Sequence, residues 1–282
     1  MTGIDIQSPE LFKSNNKYKL SSIISGDNLL FSISQKSNGK ILAVKEILNL
    51  KKNFYFDIDY IKTLFKENQL LHKNIDQISI AILNPDFSII PANFYKKSIN
   101  KDALSAVSIK QYQKDYTILK NHIDIPDSYY LFIFPEKLKE FLKTTFNTVN
   151  IHHANEILIS KYKFIDSYGN TILANLNNNY LQTAVFKNGN FIQTNVYSID
   201  TKEDILYYIT TNLSNNVIPV NKANVILSGR ITSESIAYKL LYDHIKNLSF
   251  VKNIPRLAFS NMFLGKPKHL FFDLYALSLC EL

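Results

Sequence analysis

Apolar and polar positions follow one another in short blocks that predict an α/β layout written twice. Residues 18–25, 28–36 and 40–48 read as three strands, and the Asn38-Gly39 pair before the third predicts a type I′ hairpin turn. Residues 57–71 set Ile58, Ile61, Leu64, Phe65 and Leu71 at helical spacing behind Asp57, a candidate N-cap. QISIAIL at 77–83 reads as a buried strand. The pattern restarts at residue 171, where two hairpin strands surround Asn188-Gly189. A helix over 204–213 follows, opened by a capping box from Thr201 to Asp204, and NVILSG at 224–229 forms the fourth strand. Residues 22–48 and 172–198 therefore share a layout. In each, an apolar run enters a polar knot, Ser25-Gly26-Asp27-Asn28 or Asn175-Leu176-Asn177-Asn178, before a strand, an Asn-Gly turn and another strand.

The stretch 84–128 has no counterpart in the second half. It carries an Asn84-Pro85-Asp86 turn and a helix around 101–112. Residues 129–134 are strand-like, Pro135 opens a helix through Phe146, 148–153 is a strand and 154–166 a helix. Near the end come a helix from Ser233 to about Leu248, a strand over 254–259 and a helix over 269–279. The expected organisation is a loose polar arm at 1–17, a first half at 18–150 with the insert at about 84–128, and a second half at 151–282.

Composition changes this picture little. A chain of 282 residues, 46% hydrophobic and 20% charged, can bury a large core. No apolar run is long enough to span a bilayer, and the N-terminus lacks a signal pattern, so a cytoplasmic location is expected. The single Cys280 excludes an intrachain disulfide and a cysteine-based metal cluster. The net charge of +8 points toward an acidic partner such as nucleic acid. It is almost all lysine spread along the chain, with arginine only at 230 and 256, which matches an AT-rich codon bias better than a phosphate-reading surface.

Two copies of strand-strand-strand-helix-strand, each followed by further helix and strand, resemble the actin-like ATPase superfamily, whose halves are ribonuclease-H-like. The passage YYLFIFPEKLKEFLKTTFNTVNIHHANEIL before LANLNNNYLQTAVF is similar to the layout of the pilus-assembly members, and the cell-division actin homologues share it. The chain also resembles an uncharacterised Bacteroidetes family described as a domain of unknown function with this fold. The resemblance covers about residues 18–282 and implies a nucleotide and metal site built from three motifs. The first, Asp-x-Gly, is matched by Ile24-Ser25-Gly26, with Asp27 one step beyond the glycine. The second is matched by Asn175-Leu176-Asn177, which has neither acid nor glycine. The paired glycines of the adenosine motif are matched by Ser228-Gly229-Arg230, with one glycine kept and arginine at the other position. A degenerate cleft of Gly26, Asp27, Asn175, Asn177, Gly229 and Arg230 is therefore expected, without metal, cofactor or catalytic residues.

Other constellations weigh less. His152 and His153, adjacent on a strand, point to opposite faces and read as surface or helix-capping residues rather than metal ligands. Asp57 and Asp59 suit a helix start. Ser228-Gly229 lacks the Gly-x-Ser-x-Gly frame of a hydrolase. The insert mixes Phe87, Phe94, Tyr95, Tyr112 and Tyr116 with lysines, a composition suited to protein or RNA contact, though a small core of its own is the simpler reading. The expectation is a non-catalytic binding or scaffold protein, a pseudo-ATPase whose partner is another protein. The alternatives are a divergent nucleotide switch using Asp27 and Asn177, and an RNA-associated adaptor.

Overall fold

The computed structural model describes residues 3–12, 17–72, 74–105, 115–124, 126–161, 169–252 and 257–280. Met1–Ala154, Arg256–Gly265 and Leu277–Leu282 gather into one unit, and Asn155–Pro255 and Lys266–Ala276 into another.

The first unit is built on a six-stranded sheet. Its strands are β1 (Asp5–Gln7), β2 (Tyr18–Ser25), β3 (Asn28–Gln35), β4 (Ile41–Ile47), β5 (Ile75–Leu83) and β9 (Thr148–His153), in the order β1-β4-β3-β2-β5-β9. β2, β3 and β4 form an antiparallel meander, while β5 runs parallel to β2 and β9 parallel to β5. The described residues 3–12 are not part of the loose arm that the polarity of 1–17 suggests. β1 extends the sheet by pairing with β4 from Asp5↔Lys45 to Gln7↔Ala43, and Leu11 is buried. Ile6 and Leu11 provide the apolar side that a polar average conceals.

One face of this sheet is apolar. Leu20, Ile24, Phe31 and Ile80 meet Ile61, Phe65 and Leu138 of α1 (Ile58–Glu67) and α3 (Glu136–Thr145). Each such side chain, once buried, contributes about 1.5–3 kcal/mol. Asp57 caps α1, its Oδ1 accepting from the Tyr60 amide at 3.1 Å. The helix stops at Glu67 and gives way to a 3-10 turn over Gln69–His72, short of the predicted end. The other face is polar yet buried: Ser21 lies beside Ser32 on one neighbouring strand and Ser79 on the other. On that face the Lys19 ammonium donates to the Ser278 carbonyl at 3.1 Å, at the end of α7 (Phe272–Ser278).

The insert contains β6 (Phe87–Pro91), α2 (Asn100–Ser105), β7 (Tyr116–Asp124) and β8 (Asp127–Pro135), with sheet order β6-β8-β7. It has a small core of Ile90, Leu104, Leu131 and Ile133. The inserted piece thus reaches Pro135 rather than residue 128, because the apolar run at 129–134 is the middle strand of the insert's sheet. The main sheet ends on β9 rather than on 129–134, which moves the end of the first half past residue 150 to Ala154.

The second unit repeats the plan. β10 (Thr171–Asn177), β11 (Tyr180–Lys187), β12 (Asn190–Ser198), β13 (Asn224–Gly229) and β14 (Leu248–Phe250) lie in the order β12-β11-β10-β13-β14. That order matches β4-β3-β2-β5-β9, with the same antiparallel meander and parallel additions. The fold is a duplicated ribonuclease-H-like α/β architecture. The apolar face of the second sheet packs under α5 (Lys202–Asn215) and α6 (Ile236–His244), where Ile172, Leu181, Val225, Ile205, Ile209 and Leu241 share one cluster. The capping box forms as predicted, with the Asp204 amide donating to Thr201 Oγ1 and the Thr201 amide to Asp204 Oδ2.

Several boundaries differ from the sequence reading. α6 starts behind Ser235 and ends at His244, and residues 248–250 form an edge strand on β13 rather than the end of a helix. A 3-10 turn over Lys268–Phe271 precedes α7, so only part of 269–279 is α-helical. Phe259 makes an isolated bridge to Ile41 in the first unit, and 253–256 lie outside the described residues. α4 (Ala154–Ser160) and α2 begin as predicted, and the continuations predicted at 162–166 and 106–112 also lie outside the described residues. The two Asn-Gly pairs are not equivalent. Asn188 and Gly189 have φ of 52° and 78° and form the two-residue connection that type I′ requires. Asn38 and Gly39 belong to a five-residue connection between β3 and β4, in which only Gly39 is left-handed. No described helix is long and apolar enough to cross a membrane.

Candidate functional site

The first motif lies at the β2–β3 turn of the first unit. Ser25 pairs with Asn28, leaving Gly26 and Asp27 as the connection. Their carbonyls are occupied: Gly26 accepts from the Asn53 amide at 2.7 Å and Asp27 from the Leu50 amide at 2.8 Å. Ile24 points to the apolar face under α1, which accounts for an aliphatic residue there. Neither Gly26 nor Asp27 adopts a left-handed conformation, so this turn does not require its glycine for φ.

In the second unit the structure brings Asn175, Asn177, Gly229 and Arg230 together, because β10 and β13 are adjacent and parallel. Asn175 sits beside Ser228, and Leu176 beside Gly229. Pairing also corrects the match between the two turns. Asn177 closes its hairpin with Tyr180 as Ser25 closes with Asn28, so Asn178, at φ 49°, takes the place of Gly26.

Asn175 and Asn177 meet a partner that the motif reading missed. Both side-chain amides donate to Asp273 Oδ2 on α7, at 3.1 and 3.3 Å, and the Leu274 amide donates to Oδ1 at 2.8 Å. Asn175 Nδ2 also donates to Gln182 Oε1 at 2.7 Å, and Ser228 Oγ donates to Asn175 Oδ1 at 2.8 Å. Gln182 Nε2 continues the chain to Asn155 Oδ1 at 3.3 Å. Every member of this network is at least nine-tenths buried. Burial pushes the Asp273 carboxyl above the ordinary value of 3.8, and the hydrogen bonds it accepts from Leu274, Asn175 and Asn177 oppose that shift. An acid flanked by apolar residues, FFDLYAL, was the sequence signal for Asp273, but nothing local tied it to β10.

Gly229 is explained by packing. Its φ is 80°, and a Cβ there would fall 2.0 Å from the Leu176 carbonyl oxygen. The close approach lets the Arg230 amide donate to that oxygen at 2.7 Å. The Arg230 guanidinium stands 5.9 Å from the Phe271 ring centroid. Beyond it, His269 Nε2 donates to the Ile231 carbonyl at 2.9 Å and its ring stacks on Phe250 at 4.1 Å.

A second buried cluster surrounds His153 in the first unit. His152 and His153 do point to opposite faces of β9, but His153 is fully buried, not at the surface. Its Nε2 donates to the Asn84 carbonyl at 2.9 Å, which leaves Nδ1 to accept from the Tyr130 hydroxyl at 3.1 Å. Phe87 and Tyr130 lie against the ring, at 4.9 and 5.2 Å between centroids. Burial drives the His153 pKa down to about 3, so the imidazole is neutral. Nearby in sequence, burial alone raises Asp86 to about 6.

The order of strands and the paired sheets identify the architecture, and sequence comparison identifies the family. A family model described as a protein of unknown function, DUF3822, matches residues 9–248. The chain belongs to the DUF3822 family. This DUF3822 chain is similar to a Bacteroides thetaiotaomicron protein with an actin-like ATPase fold and unknown function. Identity is 17% and the TM-score 0.72, over 94% of this chain and 96% of the other. It is also similar to a structure described as a PilM-PilN type IV pilus biogenesis complex, at 10% identity and a TM-score of 0.53, over 93% and 96% of the two chains. These likenesses show that the DUF3822 chain has an actin-like ATPase fold. No curated protein matches it.

Proposed function

We propose that this protein is a non-catalytic binding or scaffold module, an actin-like fold that engages another protein without turning over nucleotide. The observation that carries the reading is the buried pairing of Asn175 and Asn177 with Asp273. A magnesium nucleotide needs an acid free to hold metal-bound water and backbone amides open to phosphate. At the second motif the carboxamides face an internal carboxylate instead. That carboxylate is itself buried, and burial favours its neutral form. At the first motif the register that sets Ser25 against Asn177 gives Asn175 a buried aliphatic counterpart, Ile23, which offers no ligand to a metal. The residues present do not fit the metal nucleotide that the fold family implies. A structure with the same fold is described as a complex between two pilus-biogenesis proteins, which supports protein engagement as a use of this architecture.

The test combines two measurements on the purified full chain. Affinity capture from a native lysate is expected to yield a protein that re-forms a stoichiometric complex when both are purified. ATP hydrolysis with magnesium is expected to equal the buffer blank. Turnover that disappears in Asp27→Ala or Asp273→Asn would establish the nucleotide-switch reading instead.

A further inference from the structure

From Ile205 through Asn221 the chain carries no charged residue, although α5 lies at the surface of the second unit. The inner side of α5 packs on the sheet through Ile205, Ile209 and Leu213. Its outer side presents Tyr207, 61% exposed, then Thr210, Thr211 and Ser214 at helical spacing. The Tyr207 ring is held in place, edge-on to Tyr208 at 5.2 Å between centroids, and Tyr208 stacks on Tyr197 at 4.0 Å. The Thr210 hydroxyl is turned to the Leu206 and Tyr207 carbonyls, at 2.8 and 3.0 Å, and needs no outside partner. The face ends on Val217, which closes the helix. The Ile218 amide donates to the Leu213 carbonyl and the Val217 amide to the Ser214 carbonyl, both at 2.9 Å, which is the Schellman arrangement. Its left-handed position suits glycine or asparagine, yet Val217 holds it at φ 55°. A β-branched side chain is strained there. At 81% exposure Val217 makes no packing in the chain that offsets the strain. A contact outside the chain would.

We infer that the outer face of α5 docks a second copy of this chain, the two helices running antiparallel across a twofold axis. Charge selects this occupant. On a molecule with a net charge of +8, most faces set lysine against lysine when they meet their own copy, and a face without charges does not. The ends of the face set the direction. Glu203 is exposed at the start of α5 and Lys222 just past its end. Antiparallel pairing turns each Glu203 toward the Lys222 end of the other copy and opposes the two helix dipoles, whereas parallel pairing sets like charges together. Tyr207 of one copy then lies opposite Val217 of the other. The short side chains of Thr210, Thr211 and Ser214 between them let the helices approach. Self-association goes beyond the scaffold reading and does not depend on it.

The test is sedimentation velocity on the purified full chain across the micromolar range. The expected result is a concentration-dependent species of twice the 32.5 kDa monomer mass. Tyr207→Glu, which charges the face, is expected to weaken association at least about tenfold. Val217→Asn, which removes the apolar contact, is expected to weaken it at least about threefold. In the dilute, monomeric range Val217→Asn should melt no lower than wild type, because asparagine accepts the left-handed position. That combination separates a docking role from a structural one, and it carries the test if Tyr207→Glu loses the fold. Phe94→Glu, which charges an exposed ring in the insert, should leave association unchanged. A wild type that stays monomeric overturns the assignment, as does a dimer that Tyr207→Glu and Val217→Asn form as tightly as wild type. A lysate protein captured by a monomeric wild type and lost with Tyr207→Glu gives the face to a different partner, which also overturns self-association and leaves the scaffold reading in place.

Discussion

Asp273 is a carboxyl whose surroundings disfavour its charge, and this has a measurable sign. The unfolded chain loses the proton near pH 3.8, whereas the folded protein keeps it to higher pH. Stability from this group is therefore complete below 3.8 and is lost as pH rises through the folded value. Asp273→Asn keeps an acceptor for Asn175 and Asn177 and cannot ionise. The variant should match wild type in acid and equal or exceed it at pH 7, as read by urea melts from pH 4 to 8. A loss of more than about 1 kcal/mol at pH 7 would mean that the site requires the negative charge. In the first unit two groups oppose one another. His153, held down to about 3, binds a proton only in the unfolded chain between 6.5 and 3, so stability falls with acid through that window. Asp86, raised to about 6, binds its proton more strongly in the folded state between 3.8 and 6, and stability rises with acid there. The slopes cancel in the overlap, each being about 1.4 kcal/mol per pH unit at full effect. Asp86→Asn should expose the His153 slope, so the variant loses stability between pH 6 and 4 faster than wild type. Parallel pH profiles for the two proteins would contradict that assignment.

Elements were legible where burial is periodic and opaque where it is not. Strands β2, β3, β10 and β11 of the two meanders were readable because nearly every residue on them is buried, giving sustained runs between polar turns. β7 escaped notice because TILKNHID is only half-buried along most of its length and carries Lys120, Asn121 and His122 within the strand. β14 is three residues long, and its first residue, Leu248, continues the apolar spacing of α6 closely enough to be read as the helix end. The two Asn-Gly pairs look identical as text, and only the loop lengths separate them. Their difference is testable at the element scale. Asn188 sits at φ 52°, so Asn188→Val should cost about 1–2 kcal/mol. Asn38 is outside the left-handed region, although its Oδ1 accepts from the Lys40 amide at 2.9 Å in an exposed loop. Asn38→Val should cost less than about 1 kcal/mol. Equal losses in chemical denaturation would mean that the turn geometry is not what separates them.

At the scale of the molecule, the repeated strand order was readable from one chain, and the contents of the motif region were not. Asn175 and Asn177 could be seen to lack the acid and the glycine of a phosphate motif. That their amides close on a carboxylate nearly a hundred residues later, on the final helix, could not, since no spacing rule links β10 to α7. The duplication carries the fold, and long-range pairs like this one decide what the fold can do. The consequence for nucleotide follows by mass action. A ligand that binds only the folded protein stabilises it by about 2.7 kcal/mol at a hundred times its dissociation constant. Magnesium ATP at millimolar concentration should leave the melting temperature unchanged, because binding would have to break the Asn175–Asp273 and Asn177–Asp273 bonds before any phosphate contact formed. Asp27→Ala should melt like wild type, with or without nucleotide, since the turn is held through the Asp27 carbonyl rather than its carboxylate. A clear upward shift with magnesium ATP in wild type, abolished in Asp27→Ala, would show that the carboxylate serves a metal and that the Asn–Asp273 pairing opens on binding. Under that result the protein is a nucleotide switch, and the buried network becomes its resting state.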